Sequence, residues 1–105
     1  MAKKTIMLVC SAGMSTSLLV SKMQKAATAE DYDSDIYAIS SSEFEEQMEK
    51  HPADVVLLGP QVRFLKDDFT KKLAPKGVPV DVINMADYGL MNGEKVLAQA
   101  KGLMK

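Results

Sequence analysis

Two short apolar runs without a polar interruption, Ile6-Met7-Leu8-Val9 and Val55-Val56-Leu57-Leu58, stand out along the chain. Strands buried on both faces read this way, as the inner strands of a parallel sheet do. Strand one is therefore placed at Thr5–Val9 and strand three at Asp54–Leu58. Two other segments alternate instead. Ser34–Ile39 sets Ile36 and Ala38 against Asp35 and Tyr37, and Val78–Val82 sets Val78, Val80 and Val82 against Pro79 and Asp81. One-sided burial, with a proline in the second case, predicts edge strands for both.

Helical spacing fills the intervals. The first helix runs from about Ser15–Ser17 to Ala29, with Leu19, Met23, Ala26 and Ala27 as its buried stripe and Ser21, Lys22, Gln24 and Lys25 mostly outward. Ser40–Ser42 followed by Glu43 and Glu45 is a capping signal for a short helix to Lys50, with Phe44 and Met48 inward. The third helix, about Val62–Leu73, places Val62, Leu65, Phe69 and Leu73 on one face, and Lys71 and Lys72 suit the negative end of its dipole. Pro75 and Gly77 stop it. Asn84–Gly93 reads as a turn-rich stretch. The last helix, about Gly93–Met104, buries Val96, Leu97, Ala100 and Met104.

This strand–helix alternation predicts an α/β fold: an open four-stranded parallel sheet with helices on both faces. The two doubly apolar strands belong inside, so the strand order is 2-1-3-4, and the winding direction reverses between strands one and three. Ligands in such sheets bind beyond the carboxyl ends of the strands at that reversal. At 105 residues the chain makes one domain, residues 1–105. Its net charge of −1 gives no electrostatic footprint for nucleic acid. No apolar run approaches the ~18 residues a membrane helix needs, and the N-terminus lacks a signal-peptide pattern, so no direct membrane insertion is expected. The single cysteine excludes an internal disulfide and a multi-cysteine metal site, and suits a reducing cytoplasm.

That cysteine, Cys10, stands where strand one ends. After it come Ser11, Ala12, Gly13, Met14, Ser15, Thr16 and Ser17, all small, hydroxylated or glycine except for one methionine. Such a loop can curl its backbone N–H groups inward into an anion-binding nest, and the following helix adds its unsatisfied N–H groups and dipole. The same field favours the thiolate form of a cysteine placed there. The expected chemistry is a phosphoryl group carried covalently on Cys10 and cradled by residues 11–17. A buried, inert cysteine at a strand end is the plainer alternative.

Three stretches carry a family resemblance: LVCSAGMSTSLLVSKM at Leu8–Met23, ADVVLLGPQV at Ala53–Val62 and PVDVINMADYGLMNG at Pro79–Gly93. Together they resemble the enzyme IIB component of the lactose/cellobiose family in the bacterial phosphoenolpyruvate-dependent sugar phosphotransferase system. The resemblance implies that a phosphohistidine on a partner IIA protein passes its phosphoryl group to Cys10. Cys10 then gives it to a sugar, of cellobiose, lactose or chitobiose type, arriving through the membrane transporter IIC. It assigns the phosphate loop to Ser11–Ser17 and implies no metal and no bound cofactor.

A low-molecular-weight cysteine-dependent phosphatase also places a cysteine after strand one. Such enzymes resemble a Cys-x5-Arg-Ser/Thr pattern, whereas Thr16 and then Ser17 stand here, and the nearest candidate acid, Asp87, precedes Tyr88 rather than proline. A non-catalytic receiver or binding module is the other alternative. A receiver needs an aspartate ending strand three, where Leu58-Gly59 stands, and neither GxGxxG nor a Walker sequence is present.

Around the cysteine, Leu18, Pro60, Gln61 and Tyr88 are expected to form the rim or to meet partners, with Met14 exposed at the partner surface. Arg63, the single arginine, follows Gln61 and reads as a solvated residue within reach of the site. His51 precedes strand three whereas Cys10 follows strand one, which separates them by ~15 Å across a five-residue strand. His51 therefore reads as a helix-end residue.

Overall fold

In a computed structural model, residues 4–10 and 14–104 are described, the side chains of 14–16 excepted. The strands are β1 (Lys4–Cys10), β2 (Ser34–Ser40), β3 (Val55–Leu58) and β4 (Val80–Val82). All are parallel, in the order β2-β1-β3-β4. The predicted α/β architecture and strand order are thus the observed ones. The α-helices are α1 (Met14–Ala29), α2 (Phe44–Lys50), α3 (Lys66–Leu73), α4 (Met85–Gly89) and α5 (Gly93–Leu103).

Period-two alternation along β1 divides the core. Ile6 and Leu8 pack with Leu19 and Met23 of α1 and with Val96 and Leu97 of α5. Met7 and Val9 pack on the other face with Phe44 and Met48 of α2 and Phe69 and Leu73 of α3. Helices on both faces leave every residue of Ile6–Val9 and Val55–Leu58 fully buried. This is the physical reason those runs carry no polar residue. On the α2/α3 side, Phe44 and Phe69 stack with ring centroids 4.0 Å apart.

Three local readings need correction. First, β2 lies at the hydrogen-bonding edge, but its faces are both covered. Tyr37 packs against the α2/α3 cluster and donates its hydroxyl to the His51 carbonyl at 2.8 Å, so it is not an outward residue. Second, the segment after β3 is not one helix from Val62. Pro60–Leu65 is a 3₁₀ stretch, and Val62 sits at φ −118°, ψ 24°. Pro60 can start a helical turn but cannot donate a backbone bond, while Val62 is drawn into the core at 2% exposure. The α-helix proper begins at Lys66, with Asp67 and Asp68 in its first turn. Third, the turn-rich stretch contains α4, whose first N–H groups, of Ala86 and Asp87, donate to the Asn84 side-chain oxygen at 3.0 and 3.1 Å. Boundaries elsewhere shift slightly, with β4 starting at Val80 because the Pro79 nitrogen cannot donate to the ladder.

Candidate functional site at the carboxyl end of the sheet

Cys10 closes β1 and pairs in register with Ser40 of β2. Its other flank is β3, where the Gly59 N–H donates to the Val9 carbonyl at 2.7 Å. Cys10 is 3% exposed, and its Sγ lies 3.9 Å from the Ile39 carbonyl oxygen of β2. Only three residues separate Cys10 from the start of α1 at Met14. Ser11, Ala12 and Gly13 lie outside the described residues, as do the side chains of Met14, Ser15 and Thr16. Residues 14–17 therefore form the first helical turn rather than open loop. Their N–H groups are among those a helix cannot satisfy internally. No acidic side chain stands in that turn to compete with an anion for the positive end of the dipole.

The β3 exit supplies the next wall. Gly59 is buried, and a Cβ placed on it would lie 3.5 Å from the Cys10 Cβ and 2.9 Å from Gln61 Oε1. The absence of a side chain at Gly59 thus makes room for the Gln61 carboxamide to fold back over the β3 exit. Gln61 Nε2 in turn donates to the Tyr88 hydroxyl at 3.1 Å, linking the β3 exit to α4. Pro60 is half-buried at the start of this turn. Of the expected rim, Pro60, Gln61 and Tyr88 are therefore brought to the same end of the sheet as Cys10, and Leu18 lies on α1 at 54% exposure.

Other candidates fall elsewhere. His51 sits at the opposite end of β2, where its Nε2 is 2.7 Å from Asp35 Oδ2. Arg63 is exposed on the 3₁₀ stretch. Beside Ser40, Glu43 Oε1 accepts from both the Ser40 N–H and hydroxyl, which holds its carboxyl below the usual range, the hydroxyl bond contributing most. Sequence reasoning missed three exposed apolar side chains at this end: Phe64 after β3, and Met85 and Leu90 on and after α4, at 75%, 62% and 76% exposure. An apolar residue inside a short polar turn was the available signal.

Fold and site together define an open α/β protein presenting one cysteine where the winding of the sheet reverses. The model of the PTS system, Lactose/Cellobiose specific IIB subunit, matches residues 5–99. The chain belongs to this family, whose members are phosphotransferase components of sugar uptake. It is 53% identical to the PTS system galactose-specific EIIB component of Lactococcus lactis subsp. cremoris, with 99% of each chain covered. It is equally 53% identical to the cellobiose-specific EIIB component of Lactococcus lactis subsp. lactis, again over 99% of each. The oligo-beta-mannoside-specific EIIB component of Bacillus subtilis is 44% identical over 96% of each chain. Among solved structures, the cellobiose-specific phosphotransferase IIB component of Borrelia burgdorferi superposes with a TM-score of 0.78 at 44% identity, covering 98% of this chain and 93% of that one. The lactose-specific IIB domain of Streptococcus pneumoniae gives 0.87 at 13% identity, over 99% of this chain and all of the other, a likeness of fold. No helix among the described residues is long and apolar enough to cross a membrane.

Proposed function

We propose that Cys10 is the phosphoryl carrier of this IIB component, cradled by the backbone of residues 11–17. The observation that supports this most is the placement of the chain's single cysteine. It ends an inner strand, three residues before a helix N-terminus free of acidic side chains. In the first step the Cys10 thiolate attacks phosphorus in the phosphohistidine of a IIA protein. An S–P bond forms as the P–N bond breaks, and the bonding pair returns to the imidazole nitrogen. The second step is the attack of a sugar hydroxyl on that phosphorus. The S–P bond breaks with its pair returning to sulfur, the P–O ester forms, and the hydroxyl proton leaves to solvent. Such transfer needs positioning and charge stabilisation more than covalent machinery.

A carrier must also keep its phosphoryl group from water. Cys10 is 3% exposed, so a phosphoryl donor must be brought to it by docking rather than by free encounter in solvent. The docking partners are a IIA protein and then the IIC transporter, on the cytoplasmic side of the membrane. Leu18, Phe64, Met85 and Leu90, all in segments that follow the carboxyl ends of strands, offer apolar area around the site for such transient contacts. Met14, at the start of α1, is proposed to take part in the same contacts. The substrate class is a β-linked disaccharide or related glycoside. Two relatives of equal identity carry different sugar names, galactose and cellobiose, so overall similarity does not choose between them. This fits a sugar pocket located in IIC.

Incubation with phosphoenolpyruvate, the general transfer proteins and a IIA protein, followed by mapping of the label, tests the reading. Label on Cys10 and its loss in Cys10→Ser are expected. Label on His51, or unchanged labelling of Cys10→Ser, would overturn it. Sustained turnover of an aryl phosphate would favour the phosphatase alternative.

A further inference from the structure

The edge of the sheet at β4 is closed by side chains. The Val56 N–H donates to the Pro79 carbonyl at 3.0 Å and the Ile83 N–H to the Leu58 carbonyl at 2.8 Å, so residues 79 and 83 turn their backbone groups toward β3. That direction alternates from residue to residue along a parallel strand. Val80, Val82 and Asn84 therefore face outward, where no further strand lies. Three of these outward groups are nevertheless bonded. Gln99 Nε2, on α5, donates to the Val82 carbonyl at 2.8 Å, and Gln99 Oε1 accepts from the Asn84 N–H at 3.1 Å. Asp81 Oδ1 accepts from the Val82 N–H at 2.8 Å. A carbonyl only accepts and an N–H only donates, so these partners fix which end of the carboxamide is which. Lys66 Nζ stands 3.3 Å from Asp81 Oδ1, and Gln99 Nε2 lies 3.4 Å from Oδ2.

A neighbouring parallel strand would donate to one carbonyl and accept from the N–H two residues on. The Gln99 carboxamide does both. We propose that Gln99 is an edge cap that takes the place of a fifth strand and keeps β4 from pairing with β4 of a second copy of this chain. A free edge invites pairing unless charge, proline or a covering element guards it. Charge is not the guard here, because Lys66 neutralises Asp81. A second copy is the occupant that fits, since the same edge pairs with itself antiparallel about a two-fold axis. With three residues in β4 the pairing involves few bonds, so it depends on concentration.

The test uses the full chain. Gln99→Leu keeps similar bulk and removes both bonds. Exchange of the Asn84 amide is expected to quicken about ten-fold, the loss of one hydrogen bond. In sedimentation velocity the variant is expected to gain mass as its concentration rises, and Gln99→Ala to do the same. The Val80 amide reports the place. It faces outward with no acceptor among the described residues, and is expected to gain protection from exchange in the associated form. Gln99→Glu keeps an acceptor for the Asn84 N–H but sets a charge on the edge, which deters strand pairing. It is expected to hold the wild-type mass at every concentration. Wild-type mass for Gln99→Leu and Gln99→Ala throughout, or an unchanged Asn84 exchange rate in both, would overturn the proposal. So would association of Gln99→Glu to the same extent, or association that leaves the Val80 amide unprotected.

Discussion

Gly93, the first residue of α5, lies against the backbone of Met23 in α1. A Cβ placed on Gly93 would stand 2.6 Å from the Met23 nitrogen and 2.5 Å from the Lys22 carbonyl carbon. The obstacle is main chain, which cannot rotate away. Gly93→Ala must therefore separate the two helices that cover one face of the sheet. Overpacking of this kind costs about 1–3 kcal/mol. The expected outcome is a lower denaturation midpoint for Gly93→Ala, with Gly102→Ala, where a Cβ would meet nothing within 4 Å, at or above the wild type.

On the opposite face, the Phe44–Phe69 stack joins α2 to α3. Both rings are nearly fully buried, at 3% and 4% exposure, so truncation leaves a cavity with little to fill it. Phe44→Ala should cost about 3–5 kcal/mol. Thermal unfolding followed by circular dichroism checks this. Phe44→Leu should recover much of the loss, since it restores volume without the ring.

Gly59→Ala separates the site from the fold. The atom its methyl would crowd is Gln61 Oε1, the far end of a flexible side chain, while the Cys10 Cβ at 3.5 Å is an ordinary contact. Little change in melting temperature is expected, because Gln61 can swing outward. The Gln61–Tyr88 bond should break, which nuclear magnetic resonance of the Gln61 amide reports directly. An unchanged Gln61 environment in Gly59→Ala would contradict the geometry described for this corner.

Tyr37 gives the fold an alkaline limit. Burial, and then the charge of Asp35, pushes its phenol up from 10.0 to about 12. The folded state therefore binds the phenol proton more tightly than the unfolded chain does. Its contribution is complete below pH 10 and is lost as pH rises from 10 toward about 12. Denaturant midpoints measured across that interval should fall more steeply for wild type than for Tyr37→Phe. At neutral pH the variant should be weaker by about 1 kcal/mol for the lost bond to the His51 carbonyl.

At the partner surface, Phe64→Ser removes an apolar side chain that is 75% exposed and touches the core little. Stability should stay within about 0.5 kcal/mol of wild type. Transfer from phospho-IIA should show a raised apparent KM, and the same change at Leu18 should act in the same direction. A change in melting temperature without a change in KM would place these residues in the fold rather than in docking.

Much of the architecture is legible along the chain because burial is written as local periodicity. Ile6–Val9 and Val55–Leu58 can be apolar throughout only where helices cover both faces, and they are the inner strands. Cys10 follows the first run directly, so its place at the carboxyl end of the sheet is legible too. The 3₁₀ stretch after β3 is not, because Val62, Leu65 and Phe69 fit helical spacing whether or not the backbone between them is helical. The five residues of α4 are too few to show a period, so Asn84–Gly93 reads as turns. Tyr37 alternates with apolar neighbours as an outward residue would, yet α2 and the segment after it close over that face.

What the chain by itself determined is the succession of elements and the delivery of one thiol to a helix start, since these depend on neighbours within a turn or two. Tertiary structure decided that Gly59 lies against Cys10, that Gln61 reaches Tyr88 across the same end of the sheet, and that Phe64 and Leu90 stay in water. Gln61 and Tyr88 are 27 residues apart and come together only because the parallel register sets the ends of β1, β3 and β4 side by side. In irregular turns the direction of a side chain follows from backbone angles that no hydrophobic period encodes.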